Sequence, residues 1–184
     1  MIILMRHGQD RDNARGILNG HRDLDLTDLG RSQVQLRAEQ LREVSLDVII
    51  TSPLKRAYAS ARIVANHLNC VQIEVNKNLI ERDFGCLTGK SIAEIPHYAS
   101  TILIVDGVNY FLDALGAESF PALLNRAKGI LQSLQVTHPD QNLLLVTHGD
   151  LIKMLRAAYY GWDWEKGLKT PNPDNAGLVY LHKQ

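Results

Sequence analysis

The chain has 184 residues, 45% of them hydrophobic and 22% charged, which suits one folded domain with a sizeable core and excludes a disordered chain. Twenty Lys and Arg balance twenty Asp and Glu, so no global field recruits nucleic acid or an anionic membrane, and any affinity for anions has to be local. No apolar run approaches the length of a membrane span, and Cys70 and Cys86 lack metal-ligand spacing and read as reduced thiols of a cytoplasmic protein.

The first element is the run Met1–Met5, which leads directly into Arg6, His7 and Gly8. With no basic leader and no small-residue cleavage site it reads as a strand rather than a signal peptide, and its unbroken apolar character suits a central strand covered on both faces. Residues 9–26 form a polar connection, and Thr27 is placed to cap a helix running to about Val44 with Val34, Ala38 and Leu41 inward. Asp47–Ile50 reads as a second buried strand. Ser52 then serves as cap and Pro53 as first residue of a helix whose inner face carries Leu54, Ala57, Ala61, Val64, Ala65 and Leu68. Val71–Val75 reads as a third strand.

Residues 77–117 are the least regular. A short helix is expected near Ser91–Ile95, while Ile102–Val105 fits a strand or a helical segment equally, because so short an apolar run carries no period. Ser119 caps an amphipathic helix with Phe120, Leu123, Leu124, Ala127, Ile130, Leu131 and Leu134 in register. Asn142–Val146 is a fourth buried strand, ending at Thr147, His148 and Gly149, and a helix follows to about Tyr160. A proline-rich turn, Thr170–Asp174, precedes a last strand at Gly177–Leu181. Strands alternating with helices predict a three-layer α/β/α sandwich around a mainly parallel central sheet.

A parallel sheet sets the carboxyl ends of its strands along one edge, and ligands bind beyond that edge. Arg6 and His7 leave the first strand there, Arg56 lies one helical turn past the second, and His148 leaves the fourth. Cations buried at a strand end are costly unless an anion meets them, so two arginines and two histidines at one point describe a phosphate-sized site.

The blocks Arg6-His7-Gly8-Gln9, Asn13, Gly20-x-x-Asp23-x-x-Leu26-Thr27-x-x-Gly30 and Ser52-Pro53-Leu54-Lys55-Arg56-Ala57 occur in that order. They continue through Glu81 with Phe84 and Gly85, Gly116-Ala117-Glu118-Ser119 and Val146-Thr147-His148-Gly149. In these blocks the chain resembles the histidine phosphatase superfamily, in the phosphoglycerate mutase-like branch. The resemblance spans residues 1–149 and implies a single domain over 1–184, with a small cap at about 86–117.

It also implies a phosphomonoesterase that works through a phosphohistidine on a small phosphorylated metabolite, with no metal and no cofactor. His7 would be the nucleophile, Arg6, Arg56 and His148 the clamp on the phosphoryl oxygens, and Glu81 the proton donor to the leaving oxygen. Asn13, Gly149 and Arg82 would be further substrate contacts. Taken singly, each residue also has a plain reading: a satisfied histidine at His7, a turn at His148, a solvated helix charge at Arg56, a surface carboxylate at Glu81. His21, Arg22, Arg82 and Lys90 are placed to touch a substrate's distal groups but read more simply as solvated loop side chains, and His67, His97, His138 and His182 as surface residues.

Two positions depart from the family. Asp10 stands where Ser or Thr is usual, and a carboxylate there repels phosphate unless it turns away or pairs with Arg11 or Arg15. Ser60 replaces a Thr, a mild change. A phosphoglycerate mutase is the nearest alternative, but Ser91–Leu115 contains no Lys or Arg to hold a substrate carboxylate, which favours hydrolysis. The apolar residues there fit internal packing, a pocket for an apolar group or a homodimer face. A non-catalytic phosphate- or phosphoprotein-binding module on the same fold is the alternative from another class.

Overall fold

A computed structural model describes residues 1–68 and 72–182. In chain order the elements are β1 (Ile2–Arg6), α1 (Arg11–Arg15), α2 (Asp28–Gln40), β2 (Val48–Thr51), α3 (Lys55–His67), β3 (Gln72–Val75) and α4 (Ile95–Tyr98). There follow β4 (Ile102–Val105), β5 (Val108–Phe111), α5 (Phe120–Thr137), β6 (Leu143–Thr147), α6 (Gly149–Tyr160), α7 (Trp164–Leu168) and β7 (Leu178–Leu181).

The main sheet has the order β3-β2-β6-β1-β7, with every pair parallel except β7, which runs antiparallel to β1. Successive side chains point to opposite faces, and this period sorts the unbroken apolar strands into two cores. Ile3, Met5, Ile49, Leu144 and Val146 meet Val34 and Ala38 of α2 and Ala57, Ala61 and Val64 of α3. Leu4, Val48, Ile50, Leu143 and Leu145 meet Leu123, Ala127 and Ile130 of α5 and Leu151 and Leu155 of α6. The result is the expected α/β/α sandwich with a mainly parallel sheet.

Several local expectations are revised. α3 starts at Lys55 rather than Pro53: Leu54 is its extended N-cap, and the Ser52 hydroxyl engages His148 and the Leu54 N–H instead of capping. β3 is an edge strand with Gln72 and Val75 exposed, because it pairs only with β2. Its expected first residue, Val71, and Cys70 lie outside the described residues. The polar connection 9–26 contains α1, capped at Asp10 in a capping box with Asn13 and ended by Gly16 in the left-handed region.

Ile102–Val105 is a strand. It pairs with β5 across Asp106-Gly107, whose φ values of 50° and 77° match the tight hairpin turn that this residue pair favours. Phe111 of the hairpin joins a small separate core with Phe84, Leu87, Ile95, Ala99 and Ala114, while Tyr110 is buried in the core under α5 and α6, and Leu103, Val105 and Val108 pack against it. Gly8 and Gly30 permit the close approach that seats α2 on the backbone after β1: a Cβ on Gly8 would lie 2.3 Å from Gly30 O, and one on Gly30 2.1 Å from Gln9 O. Among the described residues no helix is long and apolar enough to cross a membrane.

Candidate active site

The registers Arg6 opposite Thr147 and Thr51 opposite Val146 bring the ends of β1, β6 and β2 level. Hydrogen bonding continues one residue further, from His7 N to Thr147 O and from Ser52 N to Val146 O, each at 3.0 Å. The strand ends therefore deliver His7, His148 and Ser52 to one place, with the two imidazole rings 5.1 Å apart.

His7 is buried, with Nδ1 2.7 Å from Gly8 O. A carbonyl only accepts, so Nδ1 carries the proton and Nε2 keeps its lone pair. Arg56 Nε–H donates to that lone pair at 3.2 Å. Burial, then Arg56 and Arg6, hold the His7 pKa well below its ordinary value, so the ring is neutral.

Arg56 is fully buried and fixed by two carbonyls, donating from Nη1 to Arg22 O at 2.6 Å and from Nη2 to Gly20 O at 2.8 Å. Its Nε also lies 3.4 Å from Oδ2 of Asp10. Arg6 donates from Nη1 to Pro173 O at 2.9 Å. His148 Nε2 sits 2.8 Å from Ser52 Oγ, and burial followed by Arg56, His7 and Arg6 keeps this ring neutral as well. Arg6 Nε and His148 Nδ1 are buried with no hydrogen-bond partner, as is the Tyr110 hydroxyl of the cap hairpin. Buried polar atoms without partners are uncommon, and two of them flanking His7 are what an anion site requires.

Glu81 is buried, its Oε1 accepting from Arg82 N at 2.9 Å and from Leu151 N, in the first turn of α6, at 3.4 Å. Burial, then the charge of Asp150, pushes its pKa up to about 7. A carboxyl that holds its proton near neutrality can give it to a leaving oxygen and take one from water.

A model of the histidine phosphatase superfamily (branch 1) matches residues 2–184. The chain belongs to this superfamily. Phosphoserine phosphatase 1 of Hydrogenobacter thermophilus is 30% identical over the whole of this chain and 86% of its own length. A metal-independent phosphoserine phosphatase of Arabidopsis thaliana is 30% identical, covering 84% of this chain and 66% of its own. A mycobacterial glucosyl-3-phosphoglycerate phosphatase solved with vanadate superposes with a TM-score of 0.82 at 26% identity, covering 96% of this chain and 90% of its own. These relatives are phosphatases of small phosphorylated metabolites, and this histidine phosphatase shares their hydrolase class.

Other residues expected at the site also make structural contacts. Arg82 is 1% exposed, with Nε on Asp150 Oδ2 at 2.7 Å, Nη1 on the carbonyls of Phe111 and Glu118, and its guanidinium 4.0 and 4.3 Å from the ring centres of Phe111 and Phe120. Through these contacts it braces the segment around Phe111 and Glu118 against α6 of the histidine phosphatase. Asn13 uses Oδ1 to close the α1 capping box. Gly149 opens α6 beside Arg6, where an added Cβ would come within 3.9 Å of Arg6 Nε. Asp10 pairs with Arg56 and with Asn19 Nδ2, not with Arg11 or Arg15.

Three supports were hidden in the sequence. Ser60 accepts from Gly8 N at 3.1 Å and donates to Arg56 O at 2.7 Å, tying the loop after His7 to α3. Ser52 orients His148. The segment 173–177 braces β1, with Pro173 O on Arg6, Ala176 N on His7 O and Gly177 O on Arg6 N. Its proline and glycine signal a turn but not what the turn touches. A groove of about 740 Å³ lies elsewhere, around Met1, Leu131, His138 and Tyr159. It contains none of these residues.

Proposed function

We propose that His7 is the nucleophile of this phosphatase and Glu81 its proton donor and acceptor. The observation that carries the proposal is the neutral His7 ring, its Nδ1–H fixed on Gly8 O and its Nε2 lone pair lying among Arg56, Arg6 and His148. Nε2 attacks phosphorus, the ester P–O bond breaks, and the leaving oxygen takes the Glu81 proton. Water then gives a proton to the Glu81 carboxylate and attacks the phosphohistidine. The P–N bond breaks, its electron pair returns to Nε2, and phosphate is released.

Arg56 Nε, bound to the His7 lone pair in the free protein, is released to a phosphoryl oxygen when that lone pair bonds to phosphorus. Arg6 Nε joins it. With Ser52 Oγ–H directed at Nε2, the His148 proton sits on the unpartnered Nδ1 and completes the clamp.

The resemblance to phosphoserine phosphatases supports a small phosphomonoester of that kind as substrate, in the cytoplasm, where the free thiol of Cys86 is also at home. A mutase needs cations to retain its substrate, and Arg82 is already committed while 91–115 supply none. The test is hydrolysis of an aryl phosphate, phosphoserine and 3-phosphoglycerate in the presence of chelator, with acid quench to trap label on histidine. Turnover with acid-labile label at His7 is expected. No turnover, or turnover with no label, overturns the assignment.

A further inference from the structure

We infer that Asp10 is a positioning residue, the built-in counter-ion of Arg56, which sets how tightly the site holds phosphate; this rests on the phosphatase reading above. Both side chains are fully buried, and Asp10 Oδ2 lies 3.4 Å from Arg56 Nε. The carboxylate cannot turn away, because Oδ1 accepts from Asn13 N and Oδ2 from Asn19 Nδ2, each at 2.7 Å. A serine or threonine would cap α1 equally well, so capping does not account for a charge at this position. Asn19 is neutral, and it too would be satisfied by an uncharged acceptor. The contact that responds to the charge is Arg56.

Arg56 is already aimed by the carbonyls of Gly20 and Arg22, so Asp10 contributes charge more than direction. Two guanidinium groups, Arg6 and Arg56, flank a neutral His7, and solvent does not screen the buried Arg56. At short range in such surroundings one extra negative charge weakens the hold on a phosphate dianion by a large factor. The arrangement keeps Arg56 available to the transferring phosphoryl group while limiting the retention of free phosphate, the product. Arg56 Nε–H stands between the two acceptors that compete for it, His7 Nε2 and Asp10 Oδ2.

The test uses the full chain, unchanged and as Asp10→Ser and Asp10→Asn, two residues that serve as caps and preserve α1. Inorganic phosphate is the probe, measured both as a competitive inhibitor and by calorimetric titration, with unfolding curves as the check on folding. Both variants are expected to bind phosphate about tenfold more tightly or better, with KM falling alongside and kcat falling as release slows. A role in packing alone would not tighten phosphate binding. Unchanged binding in both variants overturns the inference, as does weaker binding in both, which would mean that Asp10 aims Arg56. Tighter binding in the serine variant alone also overturns it, because the isosteric asparagine removes only the charge. If the unchanged chain lacks turnover while its phosphate binding responds to both substitutions, the counter-ion role stands and the phosphatase reading falls. Turnover with unresponsive phosphate binding gives the reverse.

Discussion

The carboxyl edge of the sheet and the cap over residues 84–117 are built on opposite plans. At the edge, His7, Asp10, Ser52, Arg56, Ser60 and His148 are all buried, and almost every polar atom is fixed by another element. The cap has a separate apolar core of a few residues and a two-stranded hairpin that leans on the main core through Tyr110, and it leaves Ile104 and Leu115 largely exposed. Arg82 ties it to α6 through Asp150, and backbone hydrogen bonds join Gly89, Lys90 and Ile92 to Gly16 and Leu18. The contrast matches the roles proposed for the two regions. Charge and geometry for phosphoryl transfer need a rigid, water-excluding frame, whereas a covering segment needs only enough packing to stay in place.

The largest effect belongs to the edge. His7→Ala should lower turnover on the order of a thousandfold or more, measured on an aryl phosphate, with the fold retained by circular dichroism. Residual activity near that of the unchanged chain would break the contrast at once. Arg82→Ala tests the joint between the regions. It leaves Asp150 without its partner and should cost about 3–5 kcal/mol in denaturant unfolding. Arg82→Met, which keeps the contact with the Phe111 and Phe120 rings, should cost less.

Glu81→Gln should lower the rate on alkyl phosphates about a hundredfold and less on aryl phosphates, whose leaving groups need no proton. The alkaline limb near pH 7, set by the raised Glu81 pKa, should vanish with it. Stability changes in the same experiment. Glu81 contributes stability that is full below its ordinary value of 4.5 and is lost as pH rises through about 7, a slope the variant should flatten. His7 and His148 act oppositely: their stability is present above the ordinary 6.5 and is lost as pH falls below it, so His7→Ala should resist acid better than the unchanged chain. The smallest effect is expected on the cap surface. Ile104→Ser should change unfolding free energy by no more than about 0.5 kcal/mol and leave kcat unaltered.

Read against the structure, the sequence is most informative where one local rule decides. Apolar runs with capped amphipathic helices between them give the order of the sandwich, and the parallel arrangement gathers Arg6, His7, Arg56 and His148. It is least informative in short elements. α1 and α7 have five residues each, too few for a helical period, and their Asp caps at 10 and 163 are the local signal. The hairpin at 102–111 is announced by Asp106-Gly107 rather than by its apolar residues.

The layers, the family and the identity of the groups that gather at the sheet edge are legible along the chain, because strand polarity and the period of side chains are local properties. What those groups touch is set by long-range folding. Arg82 met Asp150 across 68 residues of chain, and Asp10 met Arg56 instead of Arg11 or Arg15. The reason is physical: a buried charge settles on whichever partner folding brings within a few ångströms, and spacing along the chain does not specify that partner.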